Sequence, residues 1–255
     1  MRTVKRRIFA GNVCEQYYYN IPDQVRDPDK YEKKPRFASE KERKDFNWKL
    51  IANRHRRKFL ATFDTSSLYG TLTFDQENEC QYFQDAKRLA RNLMKSLRRK
   101  FKDSVIWIYT GRGKTTSRIH LHFVSKGIPK EEILKRWPYG SIVKVETLRK
   151  HNKYDGLDHG TDWTGLADYL INHWTEEVGG RAWMQSGKAS EPDREKPTEC
   201  LRTYSIAKPP KAPKGYTLVE SKATKYGYMW FKYVKLPPQK VKNSLFGSDG
   251  RTILS

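Results

Sequence analysis

Residues 117–125 read SRIHLHFVS, and the whole chain can be read outward from this run. β-Branched and aromatic residues alternate at a period of two, so Ile119, Leu121 and Phe123 share one face of a strand while His120 and His122 share the other. The apolar face calls for a helical layer to cover it. The two imidazoles, held rigidly side by side, make half of a metal site.

Upstream, VIWIYTG (105–111) is a second strand, joined to the first across the Gly-rich turn GRGK (111–114). Before it, residues 84–102 place Ala86, Leu89, Ala90, Leu93, Met94, Leu97 and Phe101 at helical spacing, with Lys87, Arg88, Arg91, Lys95, Arg98 and Arg99 on the remaining surface. LYGTLTFD (68–75) is a further strand. Downstream, Pro129 opens a short helix through Leu134, SIVKVETL (141–148) is a strand, and RKHNKYDGLDHGTD (149–162) is a loop. Asp162 or Thr161 then caps the helix WTGLADYLINHWTEE (163–177). The order β-α-β-β-α-β-α predicts an α+β fold: an antiparallel sheet with packed helices, of ferredoxin-like or split βαβ type, over residues 61–180.

The flanks read differently. Residues 1–60 are expected as a basic arm, with a tyrosine cluster at Tyr17 to Tyr19, a loop carrying Pro22, Pro28 and Pro35, and a helix through Trp48, Leu50 and Ile51 that starts at the capping box Ser39/Glu42. That helix ends in the basic run Arg54, His55, Arg56, Arg57, Lys58 and is expected as an arm or as a cover for the core. Residues 181–214 are expected as linker, 215–235 as a β-hairpin extension, and 236–255 as a disordered tail.

Charge narrows the function classes. The 255 residues hold 51 Lys and Arg against 29 Asp and Glu, a net charge of +22, and 13% of them are aromatic. Cations pair with phosphates and rings stack on bases, so nucleic acid is the expected partner. Both ends carry most of the surplus, which the sequence reading assigns to arms that hold a polyanion. Cys14, Cys80 and Cys200 form no CxxC pair, which argues against a zinc finger or a disulfide framework and for a reducing compartment. No apolar run approaches the ~20 residues of a membrane span, and MRTVKRRIFAGNV lacks the apolar stretch of a signal peptide. A soluble cytoplasmic protein without a membrane partner is expected.

Tyr169 and His173 stand at i and i+4, so one helical turn holds a phenol beside a potential ligand. The alternative is that Tyr169 joins the buried stripe of Leu166, Leu170 and Trp174, and that His173 only favours a helix end. A second cluster, His151, Asp155, Asp158, His159 and Asp162, lacks EF-hand spacing and reads as an Asp-Gly turn or a reserve of ligands.

The ordered set TLTF (71–74), HLH (120–122) and YLINH (169–173) resembles the HUH endonucleases. GRGKTTSRIHLHFV, KYDGLDHG and ATKYGYMWFKYVK are similar to segments of prokaryotic rolling-circle replication-associated proteins. The resemblance implies a metal-dependent nickase and strand transferase acting on single-stranded DNA or origin hairpin DNA, with a host helicase as a further expected partner. It implies Tyr169 as the nucleophile that forms a 5′-phosphotyrosine, and His120 and His122 as ligands of Mn²⁺ or Mg²⁺. Arg112, Lys114 and Arg118 surround the metal strand and are expected to grip phosphates. In other HUH proteins an acid upstream of the first histidine completes the site, yet residues 104–119 contain no Asp or Glu. His173 is therefore the expected third ligand, in line with small single-tyrosine HUH transposases, with Asp162, Asp168 or Glu146 as the alternatives. The competing readings are a non-catalytic module that binds single-stranded nucleic acid by stacking, and an HUH relaxase or transposase.

Overall fold

The computed structural model describes residues 2–21, 39–112, 118–140, 143–154, 157–173, 180–224 and 227–235. In chain order the elements are β1 (Arg2–Ala10), β2 (Val13–Ile21), α1 (Glu40–Thr62), β3 (Leu68–Leu72), α2 (Phe83–Lys100), β4 (Val105–Arg112), β5 (Ile119–Lys126), α3 (Lys130–Lys135), β6 (Val143–Thr147), β7 (Lys153–Tyr154), β8 (Leu157–Asp158), α4 (Thr164–Ile171), β9 (Met184–Ser186), β10 (Asp193–Arg194), β11 (Thr198–Glu199), β12 (Tyr216–Ala223) and β13 (Met229–Lys235). The architecture is α+β with antiparallel sheets, as expected.

The central sheet runs β6-β3-β5-β4-β9, every pair antiparallel. Its alternation follows the sequence pattern. Ile106 and Ile108 of β4 join Ile119, Leu121 and Phe123 of β5 under α2, which contributes Phe83, Ala86, Ala90, Leu93, Met94 and Leu97. On the opposite face Val105, Trp107, Tyr109 and Val124 meet Phe59 and Leu60 of α1 and Ala167 and Leu170 of α4. Each large side chain removed from water here contributes about 1.5–3 kcal/mol, which is why β4, covered on both faces, reads as almost continuously apolar. Gly70 sits where a Cβ would come within 2.6 Å of the Phe123 ring, so this residue has to be glycine for β5 to seat its aromatic.

The N-terminal and C-terminal segments differ from the sequence expectation. Residues 2–21 are not an arm: β1 and β2 form a hairpin over a two-residue turn, and β2 pairs with β13 of the β12–β13 hairpin, giving a second sheet. At that turn Gly11 has φ +56°, and a Cβ there would lie 2.2 Å from the Leu60 carbonyl oxygen. Glycine alone satisfies both demands. The pattern escaped the sequence reading because polar residues sit inside: Glu15 is buried against Arg57 at 2.5 Å, and Gln16 accepts from Arg7 at 2.7 Å. The second reason is distance along the chain, since β13 lies more than 200 residues after β2.

The expected linker is also structured in part. β9 adds to the central sheet beside β4, while β10 and β11 both pair with β1. Tyr204 packs its ring 4.9 Å from that of Tyr18, and the Tyr233 hydroxyl donates to the Pro210 carbonyl. A polar, Pro-rich composition hides such short pairings, because edge strands of two or three residues carry no periodicity to detect. The hairpin expected at 215–235 is present, but it is an integral part of the second sheet rather than an extension. Residues 236–255, expected as a tail, lie outside the described residues. No helix among the described residues is long and apolar enough to cross a membrane.

Candidate metal centre

The α4 side of the central sheet carries His120 and His122, whose ring centroids are 4.8 Å apart. His122 is buried, with Thr71 of β3 and Tyr109 of β4 as its cross-strand neighbours. Its Nδ1 lies 2.9 Å from the Thr71 hydroxyl and 3.4 Å from the Tyr69 hydroxyl, and the Tyr69 ring stacks on it at 6.0 Å. When Nδ1–H donates to Thr71, the lone pair of His122 resides on Nε2, the tautomer that ligation uses. His120 Nδ1 lies 3.4 Å from the Arg118 carbonyl. The two Nε2 atoms face each other at 3.1 Å. Lone pairs that close repel unless a proton or a cation lies between them.

His173 follows the end of α4. Its Nδ1–H donates to the Tyr169 carbonyl at 2.8 Å, which leaves Nε2 as the ligating atom. Its ring centroid is 4.6 Å from that of His122 and 5.7 Å from that of His120. The approach requires Gly111 of β4, because a Cβ there would be 2.8 Å from His173 Cδ2. One ligand atom from each of the three histidines lies within 4.8 Å of the others. Burial, with the neighbouring His120 and His173 rings adding to it, pushes His122 down to about 3. Burial also lowers His120. Both rings are therefore neutral at physiological pH, which is the ligating form. This donor set can hold a metal ion and is consistent with a divalent one.

Tyr169 completes the cluster. Its hydroxyl lies 3.4 Å from His122 Nε2, its ring is 4.4 Å from that of His173, and 49% of the residue is exposed, so it is open to solvent. α4 is anchored at two points. Arg56 of α1 grips both oxygens of Asp168, the residue before Tyr169, at 2.9 and 3.0 Å. At the start of the helix, Asp162 accepts from the Thr164 backbone N–H and forms a buried ion pair with Lys232 of β13 at 2.6 Å. Burial would raise the Asp162 carboxyl, but Lys232 and the Thr164 hydrogen bonds outweigh it and hold the group below the usual range.

The other candidates are placed elsewhere. Asp168 pairs with Arg56, Asp162 with Lys232 and Glu146 with Lys144, so none of the three alternative ligands joins the triad. In the loop cluster His151 pairs with Asp158 at 2.7 Å, His159 is buried, and Asp155 lies outside the described residues. Arg118 forms a two-point pair with Glu79 at 2.9 and 3.1 Å, and the Arg112 guanidinium lies 5.1 Å over the Phe83 ring. Lys114 lies outside the described residues. Of the basic run at the end of α1, Arg56, Arg57 and Lys58 pair with Asp168, Glu15 and Glu191, while His55 is buried against Tyr109.

Sequence reasoning missed Thr71, Gly111, Arg56 and Lys232. Thr71 and Gly111 lie within motifs it had singled out, but their roles depend on strand register; the ion pairs join residues 70 to 112 positions apart. Comparison with family models, with curated proteins and with solved structures finds no match to this chain.

Proposed function

We propose that this chain is an HUH-type tyrosine endonuclease that nicks and transfers single-stranded DNA through a covalent 5′-phosphotyrosine and thereby initiates rolling-circle replication. The observation that carries the reading is the meeting of the Tyr169 hydroxyl with three imidazoles on one face of a sheet. The split βαβ arrangement also supports it: β5 lies between β3 and β4, α2 links those two strands, and α3 links β5 to β6 across β3. A protein that only binds strands has no need to set a phenol against such a cluster.

His120, His122 and His173 would hold the divalent ion, and three nitrogen donors suit Mn²⁺ better than Mg²⁺, which prefers oxygen. When bound, such an ion would neutralise charge on the phosphodiester and orient the phosphorus for in-line displacement. Tyr169 supplies the nucleophile. Its oxygen bonds to phosphorus as the bond to the 3′ oxygen breaks, and the proton lost by the phenol is balanced by the one the departing 3′-hydroxyl gains. Arg56, through Asp168, keeps the turn of α4 that carries Tyr169 against the sheet. Such positioning matters because a misplacement of about 1 Å in a catalytic site costs on the order of 100-fold in rate.

Incubating the protein with end-labelled single-stranded DNA and Mn²⁺, followed by denaturing electrophoresis, tests the proposal. Cleaved strand and a slow-migrating adduct are expected, both lost in His122→Ala. Intact DNA at every Mn²⁺ concentration would overturn it.

A further inference from the structure

Away from the histidine cluster, a groove of about 1460 Å³ runs between α1 and α2 over the edge strand β9. Its volume exceeds the ~300–1,000 Å³ of clefts that bury a small molecule. α2 lays Arg91, Lys95 and Arg99 along this groove, with Lys87 buried and Arg98 donating to the Ser104 carbonyl, and Arg181 faces them from beside β9. No Asp or Glu is among its lining residues. On an α-helix, steps of four residues advance about 6 Å, so these cations form a regular row rather than a point charge. Trp48 and Ile51 of α1 and Trp183 before β9 supply apolar walls, and Ile51 is 43% exposed.

We propose that this groove is a binding track for single-stranded DNA, with phosphates on the α2 cations and unpaired bases against Trp48 and Trp183. A row of cations opposite aromatic walls is the combination that strand binding without sequence preference uses. An acidic peptide would satisfy the charge but leave the indole walls unexplained, and a duplex keeps its bases stacked away from them. The location adds a second argument. β9 pairs with β4 at Ile106 to Ile108, and three residues further along β4 lies Gly111, against His173. Three strand residues span about 10 Å, so the groove floor and the histidine cluster share one strand of the sheet. The inference rests on the nucleic-acid part of the reading above, but not on the nicking chemistry.

Binding of a fluorescent thymidine homopolymer, measured by anisotropy in EDTA across a salt series, tests it. Arg91→Gln/Lys95→Gln, both exposed positions, is expected to bind roughly ten-fold more weakly and to lower the slope of log K against log salt by about 1.4, two contacts at about 0.7 each. Trp48→Ala is expected to weaken the single strand roughly 5- to 150-fold and leave a duplex of the same length unaffected. Unchanged affinity and slope in the double variant would overturn the track, as would equal loss on duplex in Trp48→Ala or equally tight binding of polyglutamate. With Mn²⁺ and saturating DNA the same variants separate the two proposals: adduct formation persists if only the track is damaged. A wild-type protein that forms no adduct but shows the groove losses would refute the nicking reading and leave the track standing.

Discussion

His173 rests against Gly111 so closely that a single methyl group on residue 111 would come within 2.8 Å of the imidazole Cδ2 and 3.1 Å of its Cβ. The strand that carries none of the three histidines thus decides where His173 stands. Gly111→Ala is expected to push the His173 ring away from His120 and His122 and to weaken Mn²⁺ binding about ten-fold or more, the scale of losses when groups supporting a metal ligand are disturbed. Isothermal titration of the purified variant checks this. Wild-type Mn²⁺ affinity would show that His173 is not a ligand.

Lys232 and Asp162 form an ion pair that is almost completely buried, joining the last strand of the second sheet to the start of α4. Lys232→Met is expected to cost about 3–5 kcal/mol in urea unfolding, because it leaves a carboxylate without its counter-charge. Lys232→Met/Asp162→Asn should recover part of that loss. The carboxyl is held low in the folded chain, so its contribution is present above about pH 4 and is lost as pH falls through the folded value. Stability of Lys232→Met equal to wild type would contradict this role.

His55 lies buried against Tyr109, its Nε2 2.8 Å from the phenol, and burial, assisted by Arg56, pushes it down to about 3. The unfolded chain binds a proton at this ring below about pH 6.5, whereas the folded one does not until about pH 3. Stability is therefore expected to fall as pH drops through that window, by about 1.4 kcal/mol per pH unit for this group alone. In EDTA, His55→Phe should show a shallower dependence between pH 6 and pH 4, although its stability at pH 7 is lower for stranding the Tyr109 hydroxyl. An unchanged slope would mean that His55 is not held neutral.

The central sheet was legible in the sequence wherever periodicity and local order suffice. The two-residue alternation of IHLHF puts His120 and His122 on the face opposite Leu121, as found, and the 3.6-residue stripe of α2 faces the sheet at Leu93 and Leu97. Tyr169 and His173 were legible as a pair because one helical turn joins them. What stayed hidden depends on register and on contacts between distant segments. No local signal shows that Thr71 lies opposite His122, or that β2 finds β13. The basic run Arg56 to Lys58 misled for the same reason: cations that look solvated are satisfied by Asp168 of α4, Glu15 of β2 and Glu191 of the loop before β10.

The account stands on Tyr169 as the nucleophile at a three-histidine metal site, and mapping the covalent adduct tests that most directly. Wild-type protein incubated with single-stranded DNA and Mn²⁺, then digested with nuclease and protease, is analysed by mass spectrometry, alongside Tyr169→Phe. The account predicts a nucleotide phosphate on the peptide that carries Tyr169, and none anywhere in Tyr169→Phe or when EDTA replaces Mn²⁺. An adduct on another residue such as Tyr69, or one that survives in Tyr169→Phe, would contradict it.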